Sequence, residues 1–191
     1  MRCLGCDSIY GIFKVRPAGT FHFNIAGKKC TTILDVRIED GRTDLLCWFN
    51  ESKRLKPKKY ESEIKAQKVA ETLAFANEVK SVAQGKDIEV FCIGVRHVFV
   101  TFAHTLIPNN YLNYIERRGL QSFDDPDSSI VHKLHEKKSE KFPSIPNGYN
   151  ITNPIDRKFI IESIWSTLSY IAAYGIFREP ENRLNIIDKV E

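Results

Sequence analysis

The chain has 191 residues, with 28 Lys and Arg against 24 Asp and Glu, and a formal net charge of +4. Its 42% hydrophobic and 27% charged residues are typical of a soluble globular protein and exclude a chain disordered throughout. A disulfide scaffold is excluded too, and the odd count of five cysteines favours an intracellular, reducing compartment. The apolar stretches are too short for a membrane span, and no secretory signal is expected at the amino terminus.

Two strands are predicted near the amino terminus, at residues 9–15 and 20–26, separated by Pro17-Ala18-Gly19. Phe21 and Phe23 alternate with polar residues in the second of these strands. This period of two predicts that one face of the strand belongs to the core.

Residues 31–49 predict a β-hairpin, because apolar and polar residues alternate on both sides of Asp40-Gly41, a pair favoured in type I′ turns. A two-residue turn there would set Val36 opposite Leu45. The same register places Trp48 on the charged face, where it would suit base stacking or a protein contact. The alternative is that Trp48 is buried under another element.

A basic segment follows the hairpin. It is interpreted either as a solvated loop, or as a nuclear-import or phosphate-contacting loop. Its cationic residues are Lys53, Arg54, Lys56, Lys58 and Lys59.

Helical spacing of apolar residues from Ala66 to Ala76 predicts a helix that ends near Gly85. Residues 87–102 are rich in Val, Ile and Phe and predict two further strands, with Arg96 at a strand end near a groove mouth. A short helix is predicted at residues 109–118.

Residues 119–153 lack a sustained period and are predicted to be a flexible linker or long loop. A helix is then expected from Pro154 to Gly175, capped by Asn153. Its broad apolar stripe must pack on this domain or on a partner. The candidate partner-binding residues are Ile161, Ile164, Trp165, Leu168 and Ile171.

The predicted order is two or three strands, a helix and then two strands. Five strands with a helix between the third and fourth is the layout of the OB-fold, a small Greek-key barrel. The segment Glu39-Asp40-Gly41, followed by Leu46-Cys47-Trp48, resembles the OB domains of two related subunits. These are the middle subunit of replication protein A and the Stn-type subunit of the telomeric CST complex. The strand entry from Gly85 to Val90 is similar to the fourth strand of that family.

This resemblance implies an α+β, mainly β, architecture: an OB-fold barrel over residues 1–118, the linker at 119–153, and an interaction helix in 154–191. It also implies a non-enzymatic subunit of a telomeric or other single-stranded-DNA-binding complex, located in the nucleus on the chromosome. DNA would lie against Trp48, Arg96 and the basic segment. Other OB-fold subunits would bind the carboxyl-terminal helix in a hetero-oligomer, without a membrane or a cofactor.

Two alternatives remain open. One is a scaffold whose barrel contacts only proteins. The other is a Mg²⁺-dependent nuclease, because Asp44 with Glu51-Ser52-Lys53 resembles the Asp…Glu-x-Lys arrangement of such enzymes. The predicted hairpin opposes this, since it separates Asp44 from Glu51 by more than about 20 Å along one strand. Asp35 would lie opposite Leu46, which is still distant.

A zinc site is not expected. Cys3 and Cys6 have metal-ligand spacing, but a structural zinc site usually needs a second close pair of ligands. The other three cysteines are solitary in the sequence. Cys47 and Cys92 are predicted to be small core residues.

Overall fold

A computed structural model describes residues 13–40, 47–52, 61–118, 131–135 and 148–179. In these ranges the chain forms eight strands and three helices. In chain order they are β1 Phe13–Ile25, β2 Lys28–Asp40, β3 Cys47–Ser52, α1 Glu61–Ala83, β4 Asp87–Arg96, β5 Phe99–Ile107, α2 Asn109–Arg118, β6 Val131–His135, β7 Tyr149–Asn150, α3 Pro154–Tyr174 and β8 Phe177–Arg178.

The strands form one mixed sheet in the order β1-β2-β3-β4-β5-β6, with β7 also paired to β5 and β8 to β4. All pairs are antiparallel except β3 and β4, which are parallel and connected by α1. The predicted α+β class and the helix between the third and fourth strands are confirmed. No pairing among the described residues closes this sheet into a barrel, so the OB-fold stays a prediction.

The amino-terminal prediction is wrong in one respect, because β1 continues through Pro17-Ala18-Gly19 as a single strand. Its partner β2 follows after a tight turn at Ala26 and Gly27, both with positive φ. Proline is tolerated in β1 because β1 lies at one end of the pairing order, where its missing N–H disrupts no second ladder. Phe21 and Phe23 are buried, as predicted.

The register predicted between β2 and β3 is also wrong. Val36 pairs with Phe49 and Arg37 with Trp48, a shift of four residues from the register of a two-residue turn. An even shift returns every side chain to the same face, so alternation of apolar and polar residues cannot distinguish the two registers. The predicted turn residue Gly41 lies outside the described residues.

The helices lie on opposite faces of the sheet. In β4, Phe91 packs edge-on against Tyr170 of α3, with ring centroids 5.8 Å apart. The neighbouring residues Cys92 and Gly94 instead face Lys68 of α1. Because successive residues of a strand point to opposite faces, α1 and α3 enclose the sheet between them.

A buried ionic cluster attaches α3 and β8 to the sheet. Glu89 of β4 is fully buried and pairs with Arg178, whose Nη2 lies 2.5 Å from its Oε2. The Tyr170 hydroxyl lies 3.2 Å from the same carboxylate oxygen, and the His104 Nε2 atom lies 3.3 Å from Oε1. Side chains from β4, β5, α3 and β8 therefore meet at one carboxylate. We call these four residues the Glu89 cluster.

The predicted boundaries of α3 are confirmed. The Asn153 side chain accepts a hydrogen bond from the Ile155 N–H at 2.9 Å, and Gly175 ends the helix with a positive φ. The preceding segment, predicted to be a linker, contains β6 and β7, which both pair with β5. The division of the chain at residues 118 and 153 stays a prediction.

Candidate nucleic-acid site

The carboxyl ends of β3 and β4 lie side by side, because these two strands are parallel. Asn50 is in register with Gly94, and Ser52 with Arg96 at the end of each strand. Ligands of α/β sheets commonly bind beyond the carboxyl ends of adjacent parallel strands. Functional side chains are therefore expected at the carboxyl ends of β3 and β4.

Lys68 of α1 extends onto the sheet at this end. A β-carbon built on Gly94 would lie 3.0 Å from the Lys68 Nζ atom and 2.6 Å from the Thr101 Oγ1 atom. Gly94 is buried, so its missing side chain is what lets the ammonium group approach the β4 backbone. Lys68 itself is half-buried.

Glu71 lies one turn further along α1 and is almost completely buried. The Gln67 Nε2 donates a hydrogen bond to its Oε1 at 2.6 Å. Burial raises the pKa of the nearby Cys92 thiol to about 12, while the charge of Lys68 acts to lower it and that of Glu71 to raise it. The α1 face of the sheet is thus polar near the strand ends, although most of the α1 interface is apolar.

The corrected register changes the position of Asp35. The β2–β3 ladder ends at the Val36–Phe49 pair, so Asp35 lies one residue and Glu51 two residues beyond it. If the ladder spacing continues, their Cα atoms are about 7 Å apart. Strict alternation would point them to opposite faces, so a shared ion requires a local rotation such as a β-bulge. The long separation along one strand, which opposed a nuclease in the predicted hairpin, therefore does not apply to Asp35 and Glu51.

The candidate nucleic-acid-binding residues are only partly described. The Trp48 backbone pairs with Arg37 and Cys92 within an interior strand, but its side chain lies outside the described residues. Arg96 is half-buried at the end of β4, two residues beyond Gly94 and therefore on the same face. Also outside the described residues are Asp44, Lys53, Arg54, Lys56, Lys58 and Lys59.

The candidate partner-binding residues of α3 divide between two sides of that helix. Leu168 and Ile171 belong to the core, with 6% and 0% of their surface exposed. Ile164 is half-buried and packs against the core. Ile161 and Trp165 are 49% and 48% exposed and lie on the outer side.

Sequence reasoning missed Lys68, Gly94 and Glu71. Gly94 was a detectable signal, because an isolated glycine inside a strand pattern often marks the close approach of another group. Lys68 and Glu71 are charged residues of an amphipathic helix, a pattern that ordinarily indicates a solvated face. Only the tertiary structure shows that they lie against the sheet.

No protein-family model, curated protein or solved structure matches the chain. Within the described ranges, no group of three or more His, Cys, Asp or Glu residues is placed to hold a metal ion. None of the described helices is long and apolar enough to cross a membrane.

Proposed function

We propose that this chain is a Mg²⁺-dependent nuclease whose site lies at the carboxyl end of β3. The observation that supports the proposal is the β2–β3 register, which ends at Val36 and Phe49, one residue before Asp35 on β2 and two residues before Glu51 on β3. Lys53 follows two residues later in the sequence. The proposed site thus uses the Asp…Glu-x-Lys pattern, with Asp35 in place of Asp44.

The donor chemistry of this set fits the metal. Asp35 and Glu51 would supply carboxylate oxygens, a ligand type that Mg²⁺ prefers, if a local rotation such as a β-bulge turns them to one face. A Mg²⁺ ion bound there would supply Lewis-acid stabilisation of charge on a phosphodiester. Lys53 would hold the attacking water, and the basic segment that it begins would attract the phosphate backbone.

The test is incubation of the purified chain with end-labelled single-stranded and double-stranded oligonucleotides, in Mg²⁺ and in EDTA, followed by gel analysis. We expect cleavage only with Mg²⁺. Asp35→Asn and Glu51→Gln should each lower the rate at least about 100-fold, because each removes a metal-binding charge.

The matched control is Glu162→Gln, which removes an exposed carboxylate on α3. It should cleave at the wild-type rate. Equal cleavage by wild type and Glu51→Gln would indicate a contaminating nuclease and contradict the proposal, as would intact oligonucleotide in every lane.

A second candidate is a non-catalytic subunit with the predicted OB-fold, which binds single-stranded DNA in a nuclear, chromosomal complex. It is favoured by the exposed apolar side of α3, where Ile161 and Trp165 would contact another OB-fold subunit. This candidate predicts salt-sensitive binding that prefers the single strand and leaves the oligonucleotide intact with Mg²⁺. Absence of binding at low salt would instead favour the protein-only scaffold.

A further inference from the structure

The hairpin formed by β1 and β2 has one face in the core and one face in solvent. Phe21 and Phe23 are buried, whereas the residues that alternate with them are exposed. Because paired residues of an antiparallel ladder point to the same side, the exposed residues of both strands form one surface. We call this surface the hairpin face. Its exposed members are Arg16, Thr20, His22, Asn24, Lys29, Thr31 and Ile33.

The segment that forms this face carries the net charge of the chain. Residues 13–33 contain four of the 28 Lys and Arg residues and none of the 24 Asp and Glu residues, so the rest of the chain is balanced. Two of these cations, Lys28 and Lys29, lie next to the hairpin turn, and both are exposed. A surface with this charge attracts anions, and a phosphate backbone is the anion that repeats along a strand.

The hairpin face also offers hydrogen-bonding groups and an apolar side chain. The His22 Nδ1 atom lies 3.0 Å from the Thr31 Oγ1 atom across the ladder, which positions the imidazole ring on the surface. Ile33, which is paired with Thr20, is 58% exposed. Hydroxyl and amide groups bind phosphate and sugar oxygens, while an exposed ring or apolar side chain contacts bases.

The hairpin face leads to the proposed site. The described β2–β3 ladder covers only residues 36–38, so the earlier part of β2 extends past it with β1 as its described neighbour. Ile33 lies two residues before Asp35 in β2. Thr31 and Lys29 lie at further steps of two residues, each about 7 Å long. A nucleic-acid strand bound along this face would therefore reach Asp35.

The burial of the other side of the hairpin favours a single strand over a duplex. A two-stranded ribbon can enter the major groove of a duplex. Here Phe21 and Phe23 attach the ribbon to the core, so only one side of it is available. A single strand can lie along such a surface, with its phosphates against lysines and its bases against rings.

We infer that the hairpin face binds a single-stranded segment of the nucleic acid and leads it to Asp35. The inference rests on the proposed function for the identity of the ligand. Lys29 is assigned to a phosphate, and His22 and Ile33 to bases. These three residues bind and position the strand and take no part in its cleavage.

The experiment measures fluorescence anisotropy of the full chain with a labelled single-stranded oligonucleotide in EDTA, so that no cleavage occurs, across a series of salt concentrations. Lys29→Met keeps the apolar stem of the side chain but removes its charge. It should weaken binding about tenfold at low salt. It should also reduce the slope of log affinity against log salt by about 0.7, the value for one phosphate contact on a single strand. Lys158→Met is the matched control, because it removes an exposed lysine charge from α3, and it should bind like wild type.

His22→Ala tests the contact with a base. It should weaken binding about tenfold, because it removes a ring on which a base stacks. His22→Phe retains a ring and should keep most of the affinity. A role limited to the hydrogen bond with Thr31 predicts instead that both variants bind alike. The melting temperatures should stay close to that of wild type, because His22 and Lys29 are exposed.

Wild-type affinity in either Lys29→Met or His22→Ala would overturn the inference, as would a wild-type chain that binds no oligonucleotide or prefers a duplex. Failure of the nuclease proposal is distinguishable. In that case the oligonucleotide stays intact in Mg²⁺, while Lys29→Met still weakens binding in EDTA. Cleavage by the wild type, together with unchanged binding by the two variants, would keep the proposed function and reject the inference.

Discussion

Two cations lie on opposite faces of the same sheet, and their surroundings differ. Arg178 on the α3 side donates to the Tyr170 hydroxyl and to backbone carbonyls, and pairs with the buried Glu89 carboxylate. Lys68 on the α1 side approaches Gly94, where a β-carbon would lie 3.0 Å from its Nζ atom. Arg178 is held by an ion pair and hydrogen bonds, whereas Lys68 lies close to the sheet at a residue that has no side chain.

The two cations therefore differ in what they contribute to stability. A buried carboxylate that loses its cation becomes an uncompensated charge at low dielectric, so the Glu89 cluster must stay intact for the chain to fold.

The largest effect on stability is expected for Arg178→Met. It leaves the Glu89 carboxylate buried without its cation, which should lower the free energy of unfolding by about 3–5 kcal/mol. Urea denaturation followed by circular dichroism measures this change. Lys158→Met is the control, because its exposed pair with Glu162 spans 3.8 Å and should contribute less than about 0.5 kcal/mol. Similar values for the two variants would contradict the assigned role of the cluster.

A further prediction compares the two sides of α3. Ile171→Ala should lower the free energy of unfolding by about 2–5 kcal/mol, because the residue is fully buried. Trp165→Ala should cost less than Ile171→Ala, since half of the Trp165 side chain is already in water. If α3 binds another subunit, Trp165→Ala should nevertheless reduce assembly in sedimentation velocity with that subunit. A large loss of stability in Trp165→Ala would place the residue in the core.

The smallest expected effect is a difference in reactivity between the Cys92 and Cys30 thiols. Burial raises its pKa from 9.0 to about 12, so about one thiol in a thousand is ionised at pH 9 in the folded chain. Iodoacetamide at that pH should modify the half-buried Cys30 well before Cys92, as mass spectrometry of peptides would show. Unfolding in urea should abolish the difference. The raised pKa also means that this thiol contributes stability below pH 9, which is lost as the pH rises toward 12.

The elements of the fold were largely predictable from local signals. Residues 109–118 formed the predicted helix, and Asn153 and Gly175 marked the ends of α3. These signals work because caps, turns and periodicity depend on residues close together in the chain. The continuity of β1 through Pro17 was not predictable, since a proline fits inside a strand only where no second strand needs its missing N–H.

The candidate site was less predictable. The pattern Glu51-Ser52-Lys53 was visible in the sequence. The choice of Asp35 as its partner depends on the register between β2 and β3. Alternation of apolar and polar residues cannot distinguish registers that differ by two or four residues. The proximity of Lys68 to Gly94 depends on how α1 crosses between β3 and β4, which involves residues 26 positions apart. No local pattern carries that information.

The amino-acid sequence by itself determined the three helices, the strands β2, β4 and β5 and much of the apolar core, because each follows from short-range periodicity and capping. Only the tertiary structure decided the parallel pairing of β3 with β4, the burial of the Glu89 cluster and the placement of Lys68 at the strand ends. Those features depend on long-range packing, in which the connection made by α1 selects which strands become neighbours.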